Sequence, residues 1–501
     1  MEDNFQSLER AKKLVLSDGI VSQSMSGFSG GPVLIAFALL LGASGFQLGL
    51  LACIPVFANL FQLFSVWFLN KIRSRRKVCV LFSFLGRFPL LILGIACLFS
   101  EGSWLMYLLI GVMFVHNFVG AISGGSWTSW MHDLIPSNQL GRFFSNRIRW
   151  AQAFAVAVSF FTGFVLDHFA GHEKMRFVFG CFFLVAGGLG LLSTFLLSQT
   201  HEPAMKDFPG FSFKELTRPF ANENLRTLIG FTVLWNLASN FATPFFSVYL
   251  LSQLQYPVSI VIGLTVLAQL VTILSLGFWG KYSDTLNNKA VLRICVPLYM
   301  LSVLAWTYTT FPAKHLFTLP LLVIIHIMIG IANGGISLAV GNIGLKLAPK
   351  GKGSVFLISM NMSNSIFAGF GPLLSGMVSG YFTLKDLSIG FNYSGPDMKE
   401  AIHFISLQSW DFPFVFSVIL GVISFRILAN LKEGMEIEKE SLWRTLKSQL
   451  VGDLKNISLF RQRKPLSLSK AKVYPALEKL DNDNDEGLIY SSPKDSSGSF
   501  S

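Results

Sequence analysis

Long apolar runs alternate with short polar connections over most of this chain. About 20 apolar residues in a helix cross the roughly 30 Å of hydrocarbon in a bilayer. Runs of this length and uniformity are too long for the alternating strands of a transmembrane barrel. The pattern therefore predicts about twelve membrane-spanning helices, at 20–41, 46–69, 78–99, 104–127, 148–169, 177–197, 228–251, 257–280, 291–311, 316–345, 355–382 and 412–428.

Composition agrees with this pattern. The 501 residues are 52% hydrophobic and 14% charged, and the mean hydropathy is +0.54. A soluble fold of this size does not tolerate so much apolar surface. We therefore predict an all-α integral membrane protein.

Basic residues are concentrated in alternate connections between the runs. Cationic side chains are retained on the cytoplasmic side of a membrane. The basic connections hold Lys71, Arg73, Arg75, Arg76 and Lys77, then Arg142, Arg147 and Arg149, then Lys206, Lys214 and Arg218, then Lys281 and Lys289, then Lys346, Lys350 and Lys352. This distribution accounts for the net charge of +12 without nucleic acid as a partner. It predicts a multi-pass protein of the cell (inner) membrane, in contact with the lipid bilayer, with both termini cytoplasmic.

The sequence contains no pattern typical of an enzyme or a metal site. The five cysteines lie in or beside apolar runs and lack metal-ligand spacing: Cys53, Cys79, Cys97, Cys181 and Cys295. A phosphate-binding loop of the G-x-x-x-x-G-K-[ST] type is also missing. We predict a protein that is not an enzyme and that uses no cofactor or metal.

The apolar runs divide into two sets of six. A short motif supports duplication, because the segment from His116 to Gly125 is matched by the segment from His326 to Gly335, each in the fourth run of its set. We predict a bundle at 1–199, a cytoplasmic linker at 200–226, a second bundle at 227–430 and a partly disordered cytoplasmic tail at 431–501.

Twelve spans in two sets of six resemble the major facilitator superfamily. The connection after the eighth run, with Gly280, Asp284 and Lys289, looks like the loop signature of that family. The resemblance implies two six-helix bundles related by pseudo-two-fold symmetry. It also implies that these three residues form a conformational latch.

Two departures argue against a drug:proton antiporter. His116 stands where the antiporter signature of the fourth helix has Arg, and the fifth run carries Gly163 without the Pro of the antiporter motif. The superfamily resemblance does not depend on either signature.

Polar side chains inside apolar helices point to a transport pathway, because they are costly unless they face protein or water. In the superfamily the first and fourth helices of each bundle line the cavity. The predicted pathway residues on these helices are Gln23, Ser26, Asn117, Asn236, Asn240, Thr243 and Asn333. Hydrogen bonding between helices, without a substrate, is the alternative explanation.

Arg87 is the only fixed charge well inside a predicted span. It requires a carbonyl, a carboxylate from another helix or an anionic substrate as acceptor. The third helix of the superfamily usually lies away from the cavity, which favours a structural partner. Asp18, Asp133, Asp167 and Asp284 all fall near predicted span ends.

His116 and His326 lie near mid-depth, and imidazole exchanges protons near neutral pH. They are the candidates for proton coupling, with a purely hydrogen-bonding role as the alternative.

The favoured hypothesis is a monomeric secondary transporter that moves a small polar organic solute by alternating access, as a uniporter or coupled to protons. One alternative is an exporter of amphipathic compounds. Another is a transporter-like sensor that signals through its tail.

Overall fold

The computed structural model describes residues 2–136, 139–203, 218–309, 316–347, 353–383, 385–394 and 399–432. Half of the predicted linker, at 204–217, lies outside the described residues. The same holds for the predicted tail beyond Lys432.

The described residues form twelve spanning helices, as the apolar runs predicted. In chain order they are α1 (Glu2–Ser29 and Gly31–Leu40), α2 (Gly45–Ala58 and Gln62–Ile72, joined by the 3-10 turn Asn59–Phe61), α3 (Arg75–Phe99), α4 (Trp104–Leu134), α5 (Leu140–His168), α6 (Met175–Ser198), α7 (Glu223–Ala242, Phe245–Val248 and the π-helical Tyr249–Gln253), α8 (Val258–Leu286), α9 (Asn288–Ala305), α10 (Thr318–Leu347), α11 (Gly353–Phe382) and α12 (Asp411–Ala429). Within the described residues, ten of these helices are long and apolar enough to cross a membrane by length and composition; α7 and α11 are the two that do not meet this criterion. The protein is thus an all-α membrane protein.

Several helices extend beyond the apolar runs at the end that carries the basic connections, here called the basic end. The first helix begins at Glu2, the fourth ends at Leu134 and the fifth begins at Leu140. A hydropathy pattern detects only the part of a helix that lies in hydrocarbon, so it misses these polar extensions. One consequence is that Asp18, expected near a span end, lies inside α1 and is only 3% exposed.

Three helices, α1, α2 and α7, are interrupted close to a proline, which in α7 is Pro244. Gly31, at φ +54°, precedes Pro32 at the break in α1. In α2, Pro55 precedes the 3-10 turn Asn59–Phe61. Proline lacks the amide hydrogen that a helix interior requires. The break in α2 proves important, because it lies beside the cavities described below.

An antiparallel hairpin that the sequence did not predict joins α11 to α12. Strand β1 (Asp386–Ser394) pairs with β2 (Lys399–Gln408), and Asp386 lies opposite Gln408. The register shifts between Ile389 and Gly390. The hairpin lies outside the helical bundle and leaves the all-α membrane fold unchanged.

Helices of the first set pack chiefly on one another, with α3 against α4 and α6, and α1 against α5 and α6. In the second set α10 packs on α8 and α9, and α12 on α7. The two sets meet mainly where α2 packs on α11 and α5 on α8. The predicted domain boundaries at 199 and 227 stay predictions.

The two sets touch at the end opposite the basic connections, here called the closed end. A Cβ at Gly45 would lie 2.9 Å from the carbonyl oxygen of Gly376, and a Cβ at Gly49 would overlap that of Pro372. Asp167, at the end of α5, accepts hydrogen bonds from the amides of Val258 (2.6 Å) and Ser259 (3.0 Å). A carboxylate at a helix N-terminus is stabilised by those free amides. Backbone contact and a helix cap therefore join the sets at this end.

We expect Gly49→Ala to destabilise the protein, because its Cβ would overlap the Pro372 carbonyl oxygen and overpacking costs about 1–3 kcal/mol. The measurement is thermal unfolding of the purified protein in detergent. Gly188→Ala on α6 is the control, since a Cβ there meets no atom within 4 Å. A melting temperature of Gly49→Ala equal to or above that of the control would contradict the close packing of α2 on α11.

Candidate functional site

A central cavity of about 700 Å³ lies between the two sets of helices. Its wall comes from α2, α4, α7 and α11, and no charged side chain is present among the described lining residues. The wall instead carries six carboxamides: Asn59, Gln62, Asn236, Asn240, Asn361 and Asn364. A neutral polar surface of this kind offers hydrogen-bond donors and acceptors without fixed charge.

The polar wall of the central cavity is accessible to solvent. Asn59, Gln62, Thr128 and Asn361 are all exposed. Polar side chains at such positions in a spanning helix require water or protein partners. The central cavity is therefore a water-accessible space, not a seam between packed helices.

Two predicted pathway residues, Asn236 and Asn240, lie in this wall. Their amide nitrogens donate to the carbonyl oxygens of Thr232 (2.7 Å) and Asn236 (2.9 Å) one turn earlier in α7. Each side-chain oxygen is left as an acceptor. Across the cavity, the side-chain oxygen of Asn364 is buried without a hydrogen-bond partner among the described residues.

A second cavity, of about 530 Å³, lies within the first six helices and is here called the first-half cavity. Three charged side chains line it: Asp18 on α1, Arg87 on α3 and Arg147 on α5. Asn59 and Gln62 belong to the walls of both cavities. The interrupted segment of α2 therefore separates the two spaces.

Arg87 binds α6 through a single nitrogen. Its Nη1 donates to the hydroxyls of Ser193 (2.9 Å) and Thr194 (3.0 Å) and to the carbonyl oxygen of Gly190 (3.1 Å). Ser193 in turn donates to the carboxylate of Asp18 at 2.5 Å. Two of the acceptor types expected for Arg87 are thus present, the carbonyl directly and a carboxylate through one hydroxyl.

Arg147 forms the ion pair of this group. Its Nη2 lies 3.1 Å from Asp18 Oδ2, and its Nε donates to the Val15 carbonyl oxygen at 3.1 Å. The guanidinium also lies over the ring of Trp127, 4.6 Å from the centroid, a favourable cation–π arrangement. Asp18, Arg87 and Arg147 form one connected group, here called the Asp18 network.

The two histidines of the repeat occupy different surroundings. His116 Nδ1 lies 2.9 Å from the Gly86 carbonyl oxygen, and the side chain lines the first-half cavity. Because a carbonyl only accepts, Nδ1 carries the hydrogen and Nε2 is left to accept a proton. His326 bonds the Leu322 carbonyl of its own helix at 2.7 Å and packs on the buried ring of Trp306.

The glycines of the repeat differ in the same way. A Cβ at Gly120 or Gly124 would meet no atom within 4 Å, and both residues line the first-half cavity. At Gly330 a Cβ would lie 2.7 Å from the Ala268 carbonyl oxygen of α8. Gly120 and Gly124 thus line a cavity in the first half, whereas Gly330 packs against α8 in the second. Gly125 is the exception in the first half, because a Cβ there would overlap Ser65 of α2.

Other predicted pathway residues are more scattered. Asn117 lines the first-half cavity and donates to the Met113 carbonyl oxygen at 2.8 Å. Thr243 lies 2.6 Å from the hydroxyl of Tyr299. Gln23 and Asn333 are half-buried and Ser26 is exposed, and none of the three lines either cavity.

The predicted latch residues do not come together. Lys289 is buried and donates to the Ala429 carbonyl oxygen at the end of α12, at 3.0 Å. Asp284 is exposed and makes no hydrogen bond or ion pair with the described residues. A Cβ at Gly280 would meet no atom of the described residues within 4 Å, so this glycine is not at a close contact between described helices.

Sequence reasoning missed Asn59, Gln62, Asn361 and Asn364, which lie on α2 and α11. It restricted the pathway to the first and fourth helices of each bundle. Polar residues near Pro55 in the second apolar run were the available signal for α2. Among the described residues, no group of three or more His, Cys, Asp or Glu lies close enough to hold a metal ion.

Comparison with known proteins identifies the family. The model of the Major Facilitator Superfamily matches residues 19–372. The chain belongs to this superfamily, whose members are membrane transporters. A search of curated proteins by sequence found no match.

Solved structures share the fold at low sequence identity. The nucleoside transporter NupG is similar with a TM-score of 0.60 and 15% identity, over 85% of this chain and 99% of that one. A bacterial homologue of the iron transporter ferroportin, in an inward-facing state, gives 0.58 and 14%, over 85% and 99%. A bacterial homolog of the human lysosomal transporter Spinster, inward-facing and unoccupied, gives 0.57 and 15%, over 85% and 96%. At these identities the likeness shows the fold alone.

We expect Arg147→Met to destabilise the protein strongly, because it leaves the Asp18 carboxylate buried without its ion-pair partner. Breaking a buried pair costs about 3–5 kcal/mol. The double variant Asp18→Asn/Arg147→Met removes the unpaired charge and should recover a large part of the loss in thermal unfolding. Arg142→Met, at an exposed position, is the control. A double variant no more stable than Arg147→Met would show that the pair does not govern this site.

Proposed function

We propose that this superfamily member is a secondary transporter that moves a small polar organic solute across the cell (inner) membrane by alternating access. The observation that carries this proposal is the water-accessible, carboxamide-lined cavity between two sets of helices that touch at the closed end. Such a cavity offers a binding surface near mid-membrane to solutes from one side at a time.

The proposed orientation places the basic end in the cytoplasm, following the basic connections. With the closed end outward, the conformation described here corresponds to a cytoplasm-facing state. Reaching the opposite state requires separation of α2 from α11 and loss of the Asp167 cap on α8. Ligand binding selects between such states when its affinity for them differs.

The proposed solute class follows from the wall of the central cavity. Carboxamides hydrogen-bond hydroxyls, amides and heterocyclic nitrogens, and a space of about 700 Å³ is within the usual range for small ligands. This wall favours a polar solute over an amphipathic one. One similar structure is that of a nucleoside transporter, a solute class of matching polarity.

The proposed energy source is a gradient of the solute itself or of protons. His116 is the better placed of the two coupling candidates, because its Nε2 belongs to a side chain that lines the first-half cavity. His326 is 5% exposed and packs against Trp306. If protons are coupled, His116 is the residue we propose to carry them.

We expect Asn236→Ala and Asn240→Ala each to raise KM about 2- to 10-fold, the effect of one hydrogen bond of about 0.5–1.5 kcal/mol. Uptake of radiolabelled nucleosides, sugars and amino acids into proteoliposomes first selects the solute, and KM is then measured for each variant. Asn70→Ala, at an exposed position of α2, is the matched control. An unchanged KM in both cavity variants would contradict the proposal that these residues bind the solute.

We expect His326→Ala to keep any accumulation driven by a pH gradient and His116→Ala to lose it. The measurement is uptake of the same solute with and without an imposed gradient. Full retention in His116→Ala would eliminate it as the proton carrier. Equal uptake by wild type with and without the gradient would identify a uniporter.

A further inference from the structure

The first-half cavity holds hydrogen-bond donors that have no partner among the described residues. Arg87 bonds described residues only through Nη1, which leaves its Nε and Nη2 groups. Arg147 uses Nε and Nη2 and leaves Nη1. The indole nitrogen of Trp127, which also lines the cavity, is buried without a hydrogen-bond partner among the described residues.

The charge at this cavity is unbalanced. Two guanidinium groups, of Arg87 and Arg147, face one carboxylate, that of Asp18. Arginine stays protonated in proteins, so the described lining carries one net positive charge with neutral His116. A cation at hydrocarbon depth is stabilised by a paired anion. Unused donors and an excess positive charge both indicate an anionic ligand.

The surface at the basic end has the same sign of charge. A surface pocket there is lined by Lys12, Arg142 and Arg149 against the single carboxylate of Glu9. Like-signed charges around an opening raise the local concentration of ions of opposite charge. Anionic solutes are therefore attracted to the basic end.

The first-half cavity is also adjacent to the central cavity. Asn59 and Gln62 line both spaces, and the α4 wall carries no side chain at Gly120 and Gly124. A ligand placed at this boundary can direct one group to each space. The central cavity would hold its neutral polar part and the first-half cavity its charged group.

We propose that the first-half cavity is an anion subsite that binds the carboxylate of the transported solute through the free donors of Arg87. This inference rests on the proposed transport function and narrows its substrate class to monocarboxylates with a neutral polar portion. A guanidinium binds a carboxylate in a bidentate manner. One carboxylate balances the single excess positive charge of the cavity. A phosphate monoester carries a charge of about −1.5 to −2 at neutral pH, which exceeds that positive charge.

The test is thermal unfolding of the purified full-length protein in chloride-free Tris sulfate buffer. The probes are lactate, glycerate and pyroglutamate, each paired with its neutral primary amide, together with glycerol phosphate and chloride. We expect at least one acid to raise Tm by roughly 2–4 °C at saturating concentration, with no rise for its amide. Equal shifts from acid and amide, no shift from any acid, or the same shift from chloride or glycerol phosphate would overturn the proposal.

Two variants test whether the acid-dependent rise in Tm arises from binding in the first-half cavity. Gly120→Leu places a side chain in the cavity and leaves Arg87 itself unchanged, and we expect it to abolish the acid-dependent rise in Tm. Gly111→Leu is the matched control on the same helix, because a Cβ there also meets no atom within 4 Å and Gly111 does not line the cavity. Arg87→Lys, which keeps the charge but loses the planar fork, should reduce the shift at least several-fold. Retention of the full shift in Gly120→Leu would place the anion elsewhere.

Solute counterflow in proteoliposomes separates this inference from the proposed function. If the protein exchanges neutral polar solutes but none of the acids, the carboxylate subsite is refuted and the proposed transport function is retained. Absence of exchange for every class of solute would refute the transport function itself.

Discussion

The pairing of charge at hydrocarbon depth is the constraint on which the first half of this protein depends. Asp18, Arg87 and Arg147 come from three helices, and Ser193 of a fourth lies between the aspartate and Arg87. Each charge would be costly alone in the membrane. Their mutual bonds hold α1, α3, α5 and α6 together beside a space that packing has not filled. The same paired charges therefore stabilise these four helices and line the polar cavity.

The duplicated segment shows how two equivalent helices have diverged. In α4 the repeat presents His116 and two open glycines to the first-half cavity. In α10 the corresponding residues are closed off by contacts: Gly330 packs on α8, and His326 lies against Trp306, which stacks on Phe246. The second half gains aromatic packing where the first half keeps polar space. The two helices are thus equivalent in their place in the fold, but their side chains have different surroundings.

The sequence predicted the twelve helices and part of the site. Apolar run length gave the number of spans, and the spacing of Asn236 and Asn240 indicated a polar face that lies on the central cavity. The buried position of Asp18 was missed because hydropathy ends where charged residues begin, although the helix continues to Glu2. Partners such as Ser193 were beyond prediction, because they depend on which helices become neighbours in three dimensions. The hairpin β1–β2 was missed for a related reason, since its segment lacks the long apolar run used to find elements.

The interrupted helix α2 connects these features. On one side it packs against α11 at the closed end, through the glycines at 45 and 49. At its centre, the 3-10 turn after Pro55 contributes Asn59, and the helical segment that follows it contributes Gln62, to the walls of both cavities. In an unbroken helix, the direction of every side chain is fixed by its position in the sequence. The break in α2 allows the segment that contacts α11 and the segment that contributes to the polar wall to differ in orientation. Movement of α2 away from α11, which the proposed alternating access requires, would therefore change the closed end and the wall between the cavities together.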